Sequence, residues 1–545
     1  MPEHLLLALA QLNPAVGDIA GNLAKLRAAR KSAAEKGAHA IMTPELFLCG
    51  YPPEDLVLKL SFQEALRDAV ESLVKETADG GPAILLGTPW READKLHNAV
   101  LMLEGGRITA KIFKHDLPNY GPFDEKRVFA SAALPEPVYF HGRRLGIMIC
   151  EDMWTPTIAR YLKQNDADLL LVPNGSPYES DKLNQRKSIA WARVSETGLP
   201  VVYLNQVGGQ DELVFDGASF VLNARGECVS QAKSWEEDLV ILPLGGIDLL
   251  PACAEPAELR EEATYRALML GLRDYVTKNG FPGVVLGLSG GVDSALAAVL
   301  AVDALGADKV WSVMMPSPYT SAESVEDAEA LARTLGCRYD SLSIAPMMQS
   351  FDVALTGVFA GRDADVTEEN IQARCRGITL MALSNKFGPM VISTGNKSEM
   401  SVGYSTLYGD LCGGFAVLKD VYKTEVYRAA RWRNVHKPAD ALGPSGAVIA
   451  ERILTKAPTA ELRPNQADQD SLPPYDVLDD ILDKLIERDL GLQEIIAHGH
   501  DEAMVKHIWG MLDRAEYKRR QGPPGVKITR RHLGKDRRYP LTNKF

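Results

Sequence analysis

The sequence predicts two α/β domains joined by a short linker, the second of them a doubly wound parallel sheet. Three observations predict it. Over residues 1–245, short apolar runs alternate with segments of helical periodicity. The pattern breaks across residues 246–258, which hold Gly246, Pro251 and Pro256. Beyond the break the alternation resumes at residue 259 and runs to 545, with a glycine-rich turn between a strand and its following helix. A chain of 545 residues also exceeds one ordinary core.

Taken in order, residues 5–12 read as a buried strand. Residues 19–36 read as an amphipathic helix, with Asp18 as N-cap and Gly37 as its stop. Residues 38–42 form a second strand that runs straight into Thr43-Pro44-Glu45. Further strands are expected at 83–87, 108–113, 145–149, 169–172 and 201–204, each ending in polar, glycine or proline residues. After the linker come a helix (258–278), a strand (284–288), a helix from Asp293, a strand (310–315) and a helix (322–335). Residues 434–475, rich in Pro, Gly and Asp, read as partly mobile loop. No internal repeat relates the halves.

A hydrophobic share of 46% and a charged share of 24% are those of a soluble globular protein. The net charge of −12 argues against a general polyanion binder, though not against a local basic site. Seven cysteines without a CxxC pair or finger spacing read as reduced thiols in a cytoplasmic protein. Met1-Pro-Glu-His carries no basic leader, and no run approaches the ~18 apolar residues of a membrane span.

The sharpest motif is Gly287-Leu288-Ser289-Gly290-Gly291-Val292-Asp293-Ser294, between a predicted strand and helix. Such a loop aims backbone N–H groups and a helix N-terminus at a phosphate, and Ser289 and Ser294 add hydroxyl donors. Asp293 beside phosphates would repel them unless a divalent cation lies between, which makes it a natural Mg²⁺ ligand. No lysine precedes the final serine and the G-x-G-x-x-G spacing is absent, so neither a Walker A nor a dinucleotide loop is present. The bland alternative is an ordinary strand-to-helix turn. The motif resembles that of the ATP pyrophosphatase superfamily.

Within that superfamily, Asn370-Ile-Gln-Ala-Arg374, Ser393-Thr394-Gly395-Asn396-Lys397-Ser398-Glu399, Tyr408-Gly409-Asp410, Leu418-Lys419-Asp420-Val-Tyr-Lys423 and Glu516-Tyr517-Lys518-Arg519-Arg520 resemble NAD synthetase motifs. The resemblance implies that Thr394 and Lys423 contact ATP, and that Asn370, Glu399 and Lys518 contact deamido-NAD. It also implies that Asp293 and Glu399 hold magnesium, with no bound redox cofactor. Residues 461–471 resemble a flexible loop that closes over the acyl-adenylate.

In the first domain, Glu45, Lys114 and Cys150 each follow a strand-like run, and residues at strand ends can converge on one crevice. A free thiol has a pKa of ~8.5, so a nearby cation and base would activate it. Glu45 can take and return the proton, and Lys114 can stabilise a developing oxyanion. Singly, Cys150 reads as a buried structural thiol and Glu45 as a surface charge. Together, Thr-Pro-Glu45-Leu, Lys114-His-Asp-Leu-Pro-Asn-Tyr120-Gly and Ile149-Cys150-Glu151-Asp152 resemble the nitrilase-type carbon–nitrogen hydrolases. That resemblance implies a four-layer sandwich, with Tyr120, Ser176 and Lys182 contacting glutamine. Glu125 reads as an auxiliary carboxylate, and Cys49 as a packing residue.

The pairing of the two halves resembles the glutamine-dependent NAD synthetases, ligases that take ammonia from glutamine. It implies glutamine, ATP and deamido-NAD as partners, with no nucleic acid and no membrane. It also implies a homo-oligomer, with an octamer built through the amidase domains as the specific expectation. Rival readings are another ATP pyrophosphatase, such as a tRNA-thiolating enzyme, and a non-enzymatic scaffold with retired sites. The basic stretch from Lys518 to Arg538 favours the first at a glance, but no RNA-binding module accompanies it.

Overall fold

In the computed structural model, which describes residues 5–254 and 258–542, contacts divide the chain into two units, Met1–Ala257 and Glu258–Phe545. The opening Met1–His4 and residues 255–257 of the expected linker lie outside the described residues.

The first unit carries strands β1 (Leu6–Gln11), β2 (Ala40–Met42), β3 (Ala83–Glu92), β4 (Lys95–Glu104), β5 (Arg107–Phe113), β6 (Val138–Phe140) and β7 (Arg143–Ile147). These are followed by β8 (Leu169–Asn174), β9 (Val201–Asn205), β10 (Val207–Gln210), β11 (Leu213–Asp216), β12 (Phe220–Leu222), β13 (Cys228–Gln231) and β14 (Asp238–Pro243). One six-stranded sheet has the order β14-β1-β2-β3-β4-β5, and another β13-β12-β9-β8-β7-β6. Parallel pairing runs through β1, β2 and β3 in the first and through β7, β8 and β9 in the second.

Side-chain alternation with period two builds the layers. Leu7 and Leu9, Leu85 and Val100 meet Ile147, Leu171 and Val202 in a core between the sheets. Ala8, Ala10, Ile84 and Leu86 face the other way, against Leu23 and Leu26 of helix Ile19–Glu35 and Leu66, Val70 and Leu73 of helix Leu60–Glu76. On the far side, Leu170, Val172, Val201 and Tyr203 pack on helices Pro156–Gln164 and Lys182–Thr197 through Ile158, Leu162, Ala190 and Val194. The order is helix, sheet, sheet, helix: the expected four-layer sandwich.

The first helix begins where its cap predicts, with Asp18 accepting from Gly21 N at 2.9 Å, and Gly37 follows its end at φ +77°. The strand expected at 83–87 continues to Glu92 and returns as β4, which the sequence reading lacks. Residues 96–103 of β4 are buried on both faces, so the run shows no alternation to read.

The second unit holds β15 (Val284–Gly287), β16 (Val310–Met314), β17 (Arg338–Ser341), β18 (Met390–Ser393) and β19 (Phe415–Ala416), all parallel in the order β17-β16-β15-β18-β19. Strand order reverses direction between β15 and β18, a topological switch point of a doubly wound sheet. Val285, Val313 and Val391 pack against Cys375 and Leu380 of helix Val366–Phe387. Helix Val292–Leu305 also packs on β15 and β16. A second cluster joins helices Tyr475–Ile486 and Glu502–Arg514 through Leu478, Leu482, Val505 and Ile508. The expected loop 434–475 overlaps the ends of helices Lys423–Val435 and Tyr475–Ile486, and between them holds only the short helix Glu451–Thr455 and a single 3-10 turn.

Part of the basic stretch near the end is spent inside the fold, while Arg520, Arg530, Lys535 and Arg538 stay exposed. Arg519 donates to Ser401 O and Leu512 O, both at 2.6 Å, and pairs with Glu516 at 2.8 Å. Lys527 pairs with Asp536 at 2.9 Å and Arg537 with Glu516 at 3.0 Å. The backbone N–H groups of Ile528 and Thr529 both reach Asp420 at 2.7 Å.

Candidate active sites

Strand ends supply the first site. Glu45 follows β2, Lys114 follows β5, Cys150 follows β7 and Gly175 follows β8. Lys114 Nζ donates to Glu45 Oε1 at 2.6 Å and to the two Glu125 oxygens at 3.0 and 2.9 Å. Asn98 on β4 donates to Glu45 at 2.7 Å and to Glu125 at 3.4 Å. Gly175 N reaches the other Glu45 oxygen at 2.9 Å, and the Tyr51 hydroxyl reaches Glu125 at 3.0 Å. Glu45 and Lys114 are 0% exposed and Glu125 6%. Burial works against the Lys114 charge, but Glu125 and Glu45 outweigh it and hold its pKa above the ordinary value. Burial pushes Glu125 up to about 7 against the pull of Lys114.

Cys150 opens the 3-10 turn Cys150–Met153 at φ +49°, a left-handed conformation that residues with a Cβ seldom keep without support. Asp152 supplies the support. One of its oxygens accepts from His115 N and Asp116 N at 3.1 and 2.8 Å, and the other from Ile149 N at 2.9 Å. It ties the Cys150 turn to the segment after Lys114, and burial pushes its carboxyl up to about 7. Burial raises the Cys150 pKa, Glu45 adds to the rise and Lys114 offsets only part. Burial thus favours the neutral thiol at Cys150. Cys49 is fully buried, with its sulfur on Leu46 O at 3.3 Å and Gly50 O at 3.2 Å.

At the mouth, the half-exposed Tyr120 donates its hydroxyl to Glu151 at 2.9 Å. Lys182 Nζ lies 3.5 Å from Glu179 and 4.9 Å from the centre of the Trp154 ring. Tyr120 and Lys182 both lower the pKa of Glu151, which burial raises more strongly. Ser176 is buried, and its hydroxyl accepts from Arg186 Nε at 3.0 Å. Of the three residues expected to hold glutamine, Tyr120 thus bonds Glu151, beside Cys150, Lys182 lies by Glu179 and Trp154, and Ser176 is engaged by Arg186. Sequence reasoning had no role for Asn98, Tyr51, Glu151 or Asp152. The last two stand in the motif beside Cys150, whereas Asn98 lies on the unread β4.

The second site is a cavity of about 580 Å³ at the ends of β15, β16 and β18, lined by every residue from Gly287 to Ser294 and by Asn370, Thr394, Glu399, Lys423 and Lys518. Ser294 Oγ accepts from Ser289 N at 3.2 Å and donates to Gly291 O at 3.0 Å, which holds the loop curled. Gly290 sits at φ +83°, and a Cβ there would fall 2.5 Å from Ser324 O, so only glycine fits. Lys423 bonds Asp293, and lies 3.2 Å from Glu399. Asn396 caps the helix that carries Glu399, accepting from Glu399 N at 3.0 Å, and donates to the Asp293 carboxylate at 2.9 Å. Burial pushes Glu399 up to about 7 despite Lys423.

Asn370 accepts from the Thr406 hydroxyl at 2.8 Å. Lys518 donates to Gly403 O and Ser405 O at 2.8 and 2.7 Å, and burial lowers its pKa. Residues Lys456 to Leu462, Gln466 and Asp468 line the same cavity. Among the described residues no three or more His, Cys, Asp or Glu side chains group as a metal cage. Asp293 and Glu399 are two hard oxygen donors that already share one cation, a set suited to an ion that takes its other ligands from phosphates.

The family model for carbon–nitrogen hydrolases matches residues 6–245, and that for NAD synthase matches residues 264–522. A glutamine-dependent NAD(+) synthetase of Rhodobacter capsulatus is 48% identical, over 100% of this chain and 99% of its own length. One from Thermotoga maritima is 44% identical over 100% of this chain and 99% of its own. Among solved structures, the glutamine-dependent NAD+ synthetase of Acinetobacter baumannii in complex with ADP is 43% identical with a TM-score of 0.79, covering 99% of this chain and 98% of that one.

Proposed function

The chain belongs to the glutamine-dependent NAD(+) synthetases, and from that membership we propose how its residues divide the work of the reaction. The enzyme is a C–N ligase: it hydrolyses glutamine, adenylates the nicotinate carboxylate of deamido-NAD with ATP and amidates it to NAD.

In the amidase site, Glu45 takes the thiol proton as Cys150 Sγ attacks the glutamine side-chain carbonyl. Because burial favours the neutral thiol, attack and proton transfer occur together. Lys114, kept charged by its two carboxylates, stabilises the oxyanion. Glu45 returns the proton to the leaving ammonia, then deprotonates the water that hydrolyses the thioester. Tyr120, Ser176 and Lys182 hold the rest of glutamine, and Glu151 suits its ammonium group. The observation that carries this reading is one lysine shared by two buried carboxylates beside a strained, buried thiol.

In the synthetase cavity, the Gly287–Ser294 loop cradles the ATP phosphates, with Ser289, Gly290, Gly291 and Ser294 nearest by motif, and Thr394 and Lys423 beside them. Asn370, Glu399 and Lys518 hold deamido-NAD. Asp293 and Glu399 would hold Mg²⁺, which when bound neutralises phosphate charge. The nicotinate carboxylate attacks the α-phosphorus, pyrophosphate leaves, and ammonia then displaces AMP from the acyl-adenylate. Lys423 balances the charge of Asp293 and Glu399 before nucleotide arrives.

The test is NAD formation from deamido-NAD, ATP and Mg²⁺, with either glutamine or ammonium chloride. Cys150→Ala should lose only the glutamine-supported reaction. Loss of both would remove Cys150 from its assigned role, and no NAD from wild type with either donor would overturn the assignment of the cavity.

A further inference from the structure

The segment after Lys456 lies along one wall of the synthetase cavity, and one side chain fastens it there. Glu461 Oε1 accepts from Ser321 Oγ and Ser324 Oγ, both at 2.8 Å, and from Lys456 Nζ at 3.0 Å. Ser321 caps helix Ala322–Leu335, so the carboxylate also meets the positive end of that helix. Ser324 is also the residue whose backbone lies against Gly290, at the back of the Gly287–Ser294 loop. Lys456 Nζ in turn lies 2.5 Å from Ser324 Oγ.

Glu461 therefore touches three things at once: the cavity-lining segment, the ammonium of Lys456, and the turn that backs the phosphate loop. Its backbone has φ +49°, a conformation kept only where contacts hold it. Asp468, further along, accepts from the Tyr475 and Tyr404 hydroxyls at 2.8 and 3.3 Å, and other ties come from helix Val366–Phe387 on the other side. Gln372 donates to Leu462 O at 2.8 Å, and Glu369 accepts from Gln466 at 3.1 Å.

We propose that Glu461 is a positioning residue for ATP binding, a latch that seats residues 456–470 against the Ser321–Ser324 turn and fixes Lys456 beside the phosphate loop. The proposal rests on the reading of the cavity as the nucleotide site. A carboxylate is required because it accepts from two hydroxyls and an ammonium together. A carboxamide keeps an acceptor for the serines and drops the charge opposite Lys456.

The experiment uses the full-length enzyme with ammonium as nitrogen donor, which keeps the amidase chemistry out of the measurement. KM for ATP and kcat are measured separately for wild type, Glu461→Gln and Glu461→Ala. Amide hydrogen exchange across residues 457–470 is followed with and without a non-hydrolysable ATP analogue. The latch predicts a KM for ATP raised about tenfold in Glu461→Ala with kcat little changed, and a smaller rise in Glu461→Gln. It also predicts faster exchange across residues 457–470 and weaker protection by the analogue. Wild-type KM and wild-type exchange in both variants would overturn it. Should Glu461→Ala fail to fold, Glu461→Gln decides on the same readouts. No NAD from wild type with ammonium would sink the nucleotide reading instead, and the exchange rates would still judge the latch.

Discussion

Lys114 sits with no exposed surface between two carboxylates, so its removal strands two like charges in a dry site. Lys114→Met should cost about 3–5 kcal/mol of stability, read by denaturant unfolding, and abolish glutamate release. Glu125, raised to about 7, holds its proton more tightly in the folded state than in the unfolded chain. The stability it contributes is complete below the ordinary carboxylate value and is lost as pH rises through about 7. Comparing Glu125→Gln with wild type by denaturant unfolding at several pH values, the difference should move in the variant's favour as pH climbs through that window. No drift would mean that Glu125 keeps its ordinary pKa. Glu45, Lys114 and Cys150 were legible because each follows an apolar run and carries reactive chemistry. Asn98 was not, because an amide in a buried strand looks like any packed polar residue until its two carboxylate partners are in place. Asp152 was readable as a letter beside Cys150, but its task, three backbone N–H bonds, is a property of folded loops.

The strand–loop–helix from β15 through Val292–Leu305 shows how much an element can declare in advance. Its glycines and serines specify the turn locally, and the structure places every one of them on the cavity. Gly290→Ala combines a left-handed backbone, costing ~1–2 kcal/mol, with a collision against the Ser324 backbone. It should abolish NAD formation from ammonium while glutamate release without ATP persists, which paired assays would show. Equal loss of both activities would mean that the substitution damages more than this loop. By contrast β4 left no trace in the sequence pattern, since burial on both faces erases the alternation by which strands are read. The strand was legible only to a partner, and its partner β3 was itself read short.

Each unit has its own cores, and the residues of each proposed site lie wholly within one unit. Calorimetric unfolding should therefore depart from a single two-state step, and MgATP should raise the transition of the second unit. At a hundredfold excess over Kd the shift corresponds to ~2.7 kcal/mol. A single transition that moves as one with ligand would show that the units unfold only together. The domain count was legible from the proline- and glycine-marked break. The pairing of part of the basic tail with carboxylates was not, because partners such as Asp513 and Glu516 for Arg537 are set by tertiary contact.

The quiet thiol of the amidase site bears on how such an enzyme ages. Peroxides and stray electrophiles attack thiolates, and burial holds the Cys150 thiol above its ordinary pKa. Such reagents should therefore modify this cysteine more slowly than a free thiol in the unliganded protein, so the same burial that shapes the site also shields it.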